Sequence, residues 1–331
     1  MIRATGAVSV AGLLAMLMTN GVRITHAADA ANAAYPLRPI RLIVPTSTGG
    51  GSDLSARLIA QRLFEKSGYV TLVENRAGAG TIVGTDIVAK APADGYTLLM
   101  APGAFATNPS TYKKMPYDAV TDFAPVTQVL FIPQLIVVHP SLPVRTLKDF
   151  IALARARPGQ LQYAASGHGT LPHLTMELLA NMAKIQLLNV PYKGPAPGLI
   201  DLLAGRLAAM VSGPSSLMMH VHAGKLRALG VTTAARTTIL ADIPTIAEGG
   251  LPGYEAVQWN GLMVRAGTPR EIIGRLHREA TTVLRTPEVK DRLTLDGNEV
   301  VGGTPEEFAT LIKAEIAKWA NVVKAAGIQP E

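Results

Sequence analysis

Residues 40–53 run Ile40-Arg41-Leu42-Ile43-Val44-Pro45-Thr46-Ser47-Thr48-Gly49-Gly50-Gly51-Ser52-Asp53. A short β-branched apolar run held between Pro39 and Pro45 reads as a strand buried on both faces, the habit of parallel sheets. Beyond the glycines, Ser52 to Lys66 places Leu54, Leu58, Ile59, Leu63 and Phe64 on one helical face, with Ser52 as N-cap. Strand, tight loop and helix make a βα unit, and the unit recurs along the chain. Further strands are expected at 70–74, 96–100, 134–138, 161–165, 186–190, 207–211 and 226–231. Helices are expected between them at 81–91, 147–157, 171–183 and 195–204, then at 269–285, 287–293 and 305–325 in a helical tail. This alternation gives an α/β protein of mostly parallel sheets flanked by helices.

The 331 residues are 48% hydrophobic and 17% charged, the balance of a folded chain long enough for two lobes. No cysteine is present, which excludes disulfide scaffolds, thiol catalysis, iron–sulfur and zinc–thiolate sites, and a lipid-bearing cysteine. The net charge of +7 is diffuse, with no basic run longer than Lys113-Lys114, so no nucleic-acid footprint is expected. At the start, Arg3, the apolar run Ala7–Met18 and the small residues up to Ala27-Ala28 have the layout of a secretory signal peptide. That run is shorter than the ~20 residues of a membrane span. Residues 1–28 are therefore expected to be cleaved on export.

The loop Thr46 to Gly51 stands at the carboxyl end of a strand and the start of a helix. Open α/β sheets bind ligands there, and the unpaired N–H groups of a helix start favour an anion. Gly49, Gly50 and Gly51 allow close backbone approach, and Thr46, Ser47 and Thr48 add neutral donors. On this reading a β-branched side chain at Gly50 blocks binding. Gly78-Ala79-Gly80 with Gly84 has the wrong spacing for a dinucleotide fingerprint and reads as a helix-opening turn. Ser166-Gly167-His168-Gly169-Thr170-Leu171-Pro172-His173 repeats the strand–loop–helix design in the second half. Ala164 stands where a nucleophile elbow needs glycine, and His168 and His173 lack the spacing of a helical metal pair. His220 and His222 read as surface positions. No catalytic residue, metal or cofactor is assigned.

Taken in order from Tyr35 to Gly327, the chain resembles the periplasmic solute-binding proteins of tripartite tricarboxylate transporters, the Bug family. The resemblance is carried by Tyr35-Pro36-Leu37-Arg38-Pro39, the Gly49–Asp53 turn and Glu74-Asn75-Arg76-Ala77-Gly78-Ala79-Gly80. It continues through Asp94-Gly95-Tyr96, Pro116-Tyr117-Asp118, the Ser166–His173 loop, Val190-Pro191-Tyr192-Lys193-Gly194, Asp242-Ile243-Pro244-Thr245 and Trp319. It implies a two-lobed Venus-flytrap fold of the type II periplasmic-binding-protein kind. Lobe 1 would comprise 35–138 and 258–331 and lobe 2 139–257, with crossings near Val138-His139 and Gln258-Trp259.

The resemblance also implies a small carboxylate between the lobes, held by backbone amides, hydroxyls and waters from Thr46–Gly51 and Ser166–Thr170. His173 and Tyr192 are placed at the same site. The implied protein is a periplasmic monomer without cofactor that delivers ligand to integral membrane permease subunits. A sensor for a membrane kinase and an exported hydrolase are the competing readings. Two departures bear on the ligand. Thr46-Ser47-Thr48 replaces the family's aromatic, small residues and proline, and Val211-Ser212-Gly213 replaces a common aromatic–aspartate pair. Loss of that acid points away from amino acids and toward a di-, tri- or aromatic carboxylate.

Overall fold

A computed structural model describes residues 35–165, 167 and 169–331. The expected signal peptide, Ser166 and His168 lie outside the described residues. The chain opens with β1 (Ile40–Val44), α1 (Gly51–Ser67), β2 (Thr71–Asn75), α2 (Ile82–Ala89), β3 (Thr97–Pro102), α3 (Ala104–Thr111) and β4 (Phe123–Ile132). It continues with β5 (Leu135–Val138), α4 (Leu147–Ala156), β6 (Gln162–Ala165), α5 (Leu171–Ala183), β7 (Leu188–Pro191), α6 (Pro195–Leu203), β8 (Ala209–Ser212), α7 (Pro214–His222) and β9 (Arg227–Val231). It ends with β10 (Gln258–Arg265), α8 (Arg270–Leu284), α9 (Pro287–Leu295), β11 (Glu299–Val300) and α10 (Pro305–Ala325).

Two sheets result, one of six strands in the order β11-β4-β10-β3-β1-β2 and one of five in the order β7-β6-β8-β5-β9. Each sheet with its helices is one lobe of an α/β protein. Strand β1 pairs in parallel with both β2 and β3. Ile40, Leu42 and Val44 pack with Ile59 and Leu63 of α1, while Ile43 faces the other way into the core with Ile82 and Val88 of α2. Both faces are buried, which is why the run carries no alternation of polar residues.

Three expectations are corrected. The sheets are mixed and not mostly parallel, because β10 lies antiparallel between β3 and β4 and β5 lies antiparallel between β8 and β9. Strand β4 contains Pro125 and β10 contains Asn260-Gly261, residues that read as breakers and turns. The first crossing falls at Pro133-Gln134 and not near Val138-His139, since β5 already belongs to the second sheet. On α1 the buried stripe is Ser52, Asp53, Ser55, Ala56, Ile59, Ala60 and Leu63, and the N-cap is Gly50. Small side chains there bring the helix close to the sheet, leaving Leu54 and Phe64 50% and 58% exposed.

The tail helix α10 ties the lobes together. It packs on α3 and β4 of the first lobe and on α5 of the second. One continuous core runs from Leu99 and Phe105 through Trp319 and Val322 to Leu174 and Leu179. Among the described residues, no helix is long and apolar enough to cross a membrane.

Candidate functional site

The strand-to-helix loops after β1, β2, β3 and β6 open toward one another, and a cavity of about 250 Å³ lies between the two sheets. The first lobe contributes Thr46, Gly80, Thr81, Pro102, Ala104, Thr107, Asn108, Thr111, Tyr112 and Gln258 to its wall. The second contributes Gly169, Thr170, Leu171 and Pro172, and the segment after α10 adds Ile328, Gln329 and Glu331. The N-cap Thr81 of α2, the first residue Ala104 of α3 and the N-cap Thr170 of α5 all face this space. Helix starts carry N–H groups without intrahelical acceptors and a positive partial charge, but at α2 the preceding turn takes these groups, with Thr81 N–H donating to the Gly78 carbonyl at 3.0 Å and Ile82 N–H to the Ala79 carbonyl.

Of the residues expected at the site, Thr46, Gly169 and Thr170 line the cavity. The Thr46 Oγ1 atom is buried and has no hydrogen-bond partner. Thr46 thus lines the wall while its hydroxyl, turned away from solvent, has an unmet hydrogen bond. Ser47, Thr48, Gly49, Gly50 and Gly51 are exposed and lie off the wall. Only Gly49 of the three glycines needs its freedom, at φ +82°, whereas Gly50 has φ −74°. A Cβ at Gly50 would meet only the Ser47 carbonyl oxygen, at 3.3 Å, so the geometry does not support the expected block there.

The exposed turn is held from below by Asp53, which is 1% exposed. Its carboxylate accepts from Gly49 N–H at 2.8 Å, Arg57 Nε at 3.0 Å and Asn75 Nδ2 at 3.0 Å. Burial pushes this carboxyl up, but the bonds from Arg57, Gly49 and Asn75 outweigh it and hold it below its ordinary range. Asp53 therefore braces the loop as well as opposing the helix dipole.

In the second lobe, Gly167 is half-buried and its carbonyl accepts from Thr170 Oγ1 at 2.9 Å. His173 is buried behind the loop, where its Nδ1 accepts the Gly169 N–H at 3.0 Å. It supports the wall from behind. Tyr192 lies away from the cavity and donates its hydroxyl to Asp201 at 2.7 Å.

Sequence reasoning passed over the corner from Gly78 to Thr81. Four successive residues there have positive φ, with Ala79 at 44° and Thr81 at 88° outside the range side chains prefer. Asn108, 3% exposed, donates Nδ2 to the Gly80 carbonyl at 2.8 Å and to Thr81 Oγ1 at 3.1 Å. The signal was available, because this loop follows β2 as the Thr46 loop follows β1. Nothing in the sequence marked Thr107, Asn108 or the residues after α10, and Gln258 was expected only at a crossing between the lobes.

Two lobes around a cavity lined mainly by hydroxyls, amides and apolar side chains have the form of a solute-binding receptor. The pattern of the tripartite tricarboxylate transporter family receptors matches residues 55–328, and the chain belongs to that family, which includes the Bug proteins. BugT of Bordetella pertussis is 36% identical over 313 residues, 94% of this chain and 95% of BugT. The solved structure of R. palustris Rpa4515 with adipate is 39% identical, with a TM-score of 0.75 over 90% of this chain and 100% of that one. MatC (Rpa3494) from Rhodopseudomonas palustris with bound malate is 29% identical, with a TM-score of 0.71 over 87% of this chain and 100% of that one.

Proposed function

We propose that this receptor captures a small carboxylate in the cavity between its lobes and hands it to the membrane permease of a tripartite transporter. The carrying observation is that the starts of α3 and α5, together with Thr46 and Thr81, meet on a wall that contains no Lys or Arg among the described residues. Such a wall favours one anionic head without fixing it to a single cation. Each exposed helix start contributes about 0.3–1 kcal/mol, and more when partly buried. Pro102, Leu171, Pro172 and Ile328 supply apolar surface for a carbon skeleton. At about 250 Å³ the space suits a metabolite smaller than the ligands of roughly 300–1,000 Å³ pockets. The adipate and malate held by the two R. palustris relatives support this class.

The lobes in this proposal are 35–133 with 258–331, and 134–257, and the receptor works as a monomer in the periplasm after losing residues 1–28. A thermal-shift screen of mono-, di-, tri- and aromatic carboxylates tests the ligand class. A ligand at 100 times its dissociation constant adds about 2.7 kcal/mol, a clear rise in Tm. No rise with any carboxylate would remove the proposal.

A further inference from the structure

The cavity wall of the second lobe rests on His173, the third residue of α5. Its ring is buried, and its Nδ1 accepts the Gly169 N–H at 3.0 Å. An N–H can donate only to an unprotonated nitrogen, so this bond requires the neutral ring with its proton on Nε2. Nε2 lies 3.7 Å from Glu177 Oε1, one turn along α5, and the same oxygen accepts the hydroxyl of Tyr163 from β6 at 2.7 Å. The Tyr163 ring stacks on the imidazole with centroids 6.4 Å apart, and burial together with the Glu177 charge pushes its phenol up. Among the described residues, Glu177 and Tyr163 are the titratable groups that face His173. Burial and the positive end of α5 oppose a charged ring, and Glu177 favours one.

Gly169 is the point at which that charge would be felt. It lines the cavity beside Thr170 and Leu171. A Cβ on it would lie 3.5 Å from Thr111 Cγ2, so the same residue is where the second lobe meets α3 of the first. A second proton on the imidazole would go to Nδ1 and point one donor at another. The Gly169 bond would then be lost, and the backbone of the loop would have to turn. We propose that His173 is a positioning residue whose neutral ring holds Gly169 and Thr170 in the cavity wall, so that protonation of the ring loosens carboxylate binding. The inference rests on the reading of this cavity as a carboxylate site.

In His173→Asn a side-chain oxygen takes the place of Nδ1 and does not titrate, whereas His173→Ala removes the acceptor. Calorimetric titration of adipate into the full chain and both variants separates the bond from the packing of the ring. At pH 8 His173→Asn should bind about 10-fold more tightly than His173→Ala, the worth of one hydrogen bond. Between about pH 8 and about pH 5, where imidazoles change charge, the wild-type chain should lose affinity at least about 5-fold relative to His173→Asn. Titration of the ligand, and of His168 in the same loop, is common to both proteins. Glu177→Gln can keep the Tyr163 bond while removing the charge that favours the imidazolium, and it should move the loss to lower pH. A ratio of wild-type to His173→Asn affinity that stays constant with pH would overturn the inference and leave the carboxylate site standing, as would equal affinities of the two His173 variants at pH 8. If neither His173 variant folds, coinciding pH profiles of the wild-type chain and Glu177→Gln would overturn it. Binding of adipate by none of these proteins at any pH would overturn the site, and the inference with it.

Discussion

Asn108 is the side chain on which the cavity's first-lobe corner most depends. Replacing it with Ala leaves the Gly80 carbonyl and the Thr81 hydroxyl without their buried partner, a loss of about 1–3 kcal/mol, and removes what holds Ala79 and Thr81 at positive φ. Asn108→Ala is expected to lower Tm and to weaken carboxylate binding at least about 10-fold, both measurable on one preparation. Little of this was legible beforehand. The Gly78-Ala79-Gly80 turn is visible in the sequence, but the residue that stabilises it lies far along the chain, and only the packing of α3 brings them together. The strand-to-helix turn at 46–51 is visible in sequence because strand, glycines and helix are contiguous, but of its residues only Thr46 lines the cavity. His173, expected at the site, accepts the Gly169 N–H, and in sequence a histidine next to a ligand loop looks the same whether it faces the ligand or braces the loop.

At the level of elements, β10 shows how turn chemistry can serve packing. A Cβ on Gly261 would sit 2.1 Å from Phe308 Cζ of α10, and the Phe308 ring meets Trp259 edge-on at 5.4 Å. Asn260 accepts from Ser52 Oγ at 3.0 Å and so links β10 to the start of α1. Asn-Gly in sequence predicts a hairpin turn, and here the glycine makes room for a ring. Gly261→Val is expected to displace α10 and to destabilise the protein by about 1–3 kcal/mol or more, read by denaturant unfolding. The β1–β2 edge carries a pH-dependent pair. The Arg41 guanidinium, against burial and with help from Arg76, holds the Glu74 carboxyl at about 2, from an ordinary 4.5. A depressed folded value means that the contribution is complete above about 4.5 and is lost as pH falls toward about 2. Glu74→Gln should therefore flatten the decline of Tm over that range, and an unchanged decline would show that other carboxyls dominate acid unfolding.

Across the whole molecule, the ends of α3 and of the β6–α5 loop meet over the cavity. A Cβ built on Gly169 would lie 3.6 Å from the Thr111 Cβ, inside the ~3.5–4.5 Å range of disulfides, at the cost of placing a side chain at φ +68°. Because the chain has no cysteine, the double variant T111C/G169C would contain a single possible pair. Oxidised, it should bind and release carboxylate far more slowly than the wild-type chain, and reduction should restore exchange. Unchanged exchange in the oxidised form would mean that the lobes need not part. The two-lobed plan itself was legible, since βα units that recur over 331 residues must divide between more than one core. The crossing at Pro133-Gln134 was not, because strands on either side of a hinge look alike in sequence. The most direct test of the account is a crystal structure of the chain with its tightest carboxylate. The carboxylate head should lie against Thr46 and the starts of α3 and α5. A ligand bound outside the space between the sheets, such as in the exposed groove by Phe64 and Leu72, would contradict it.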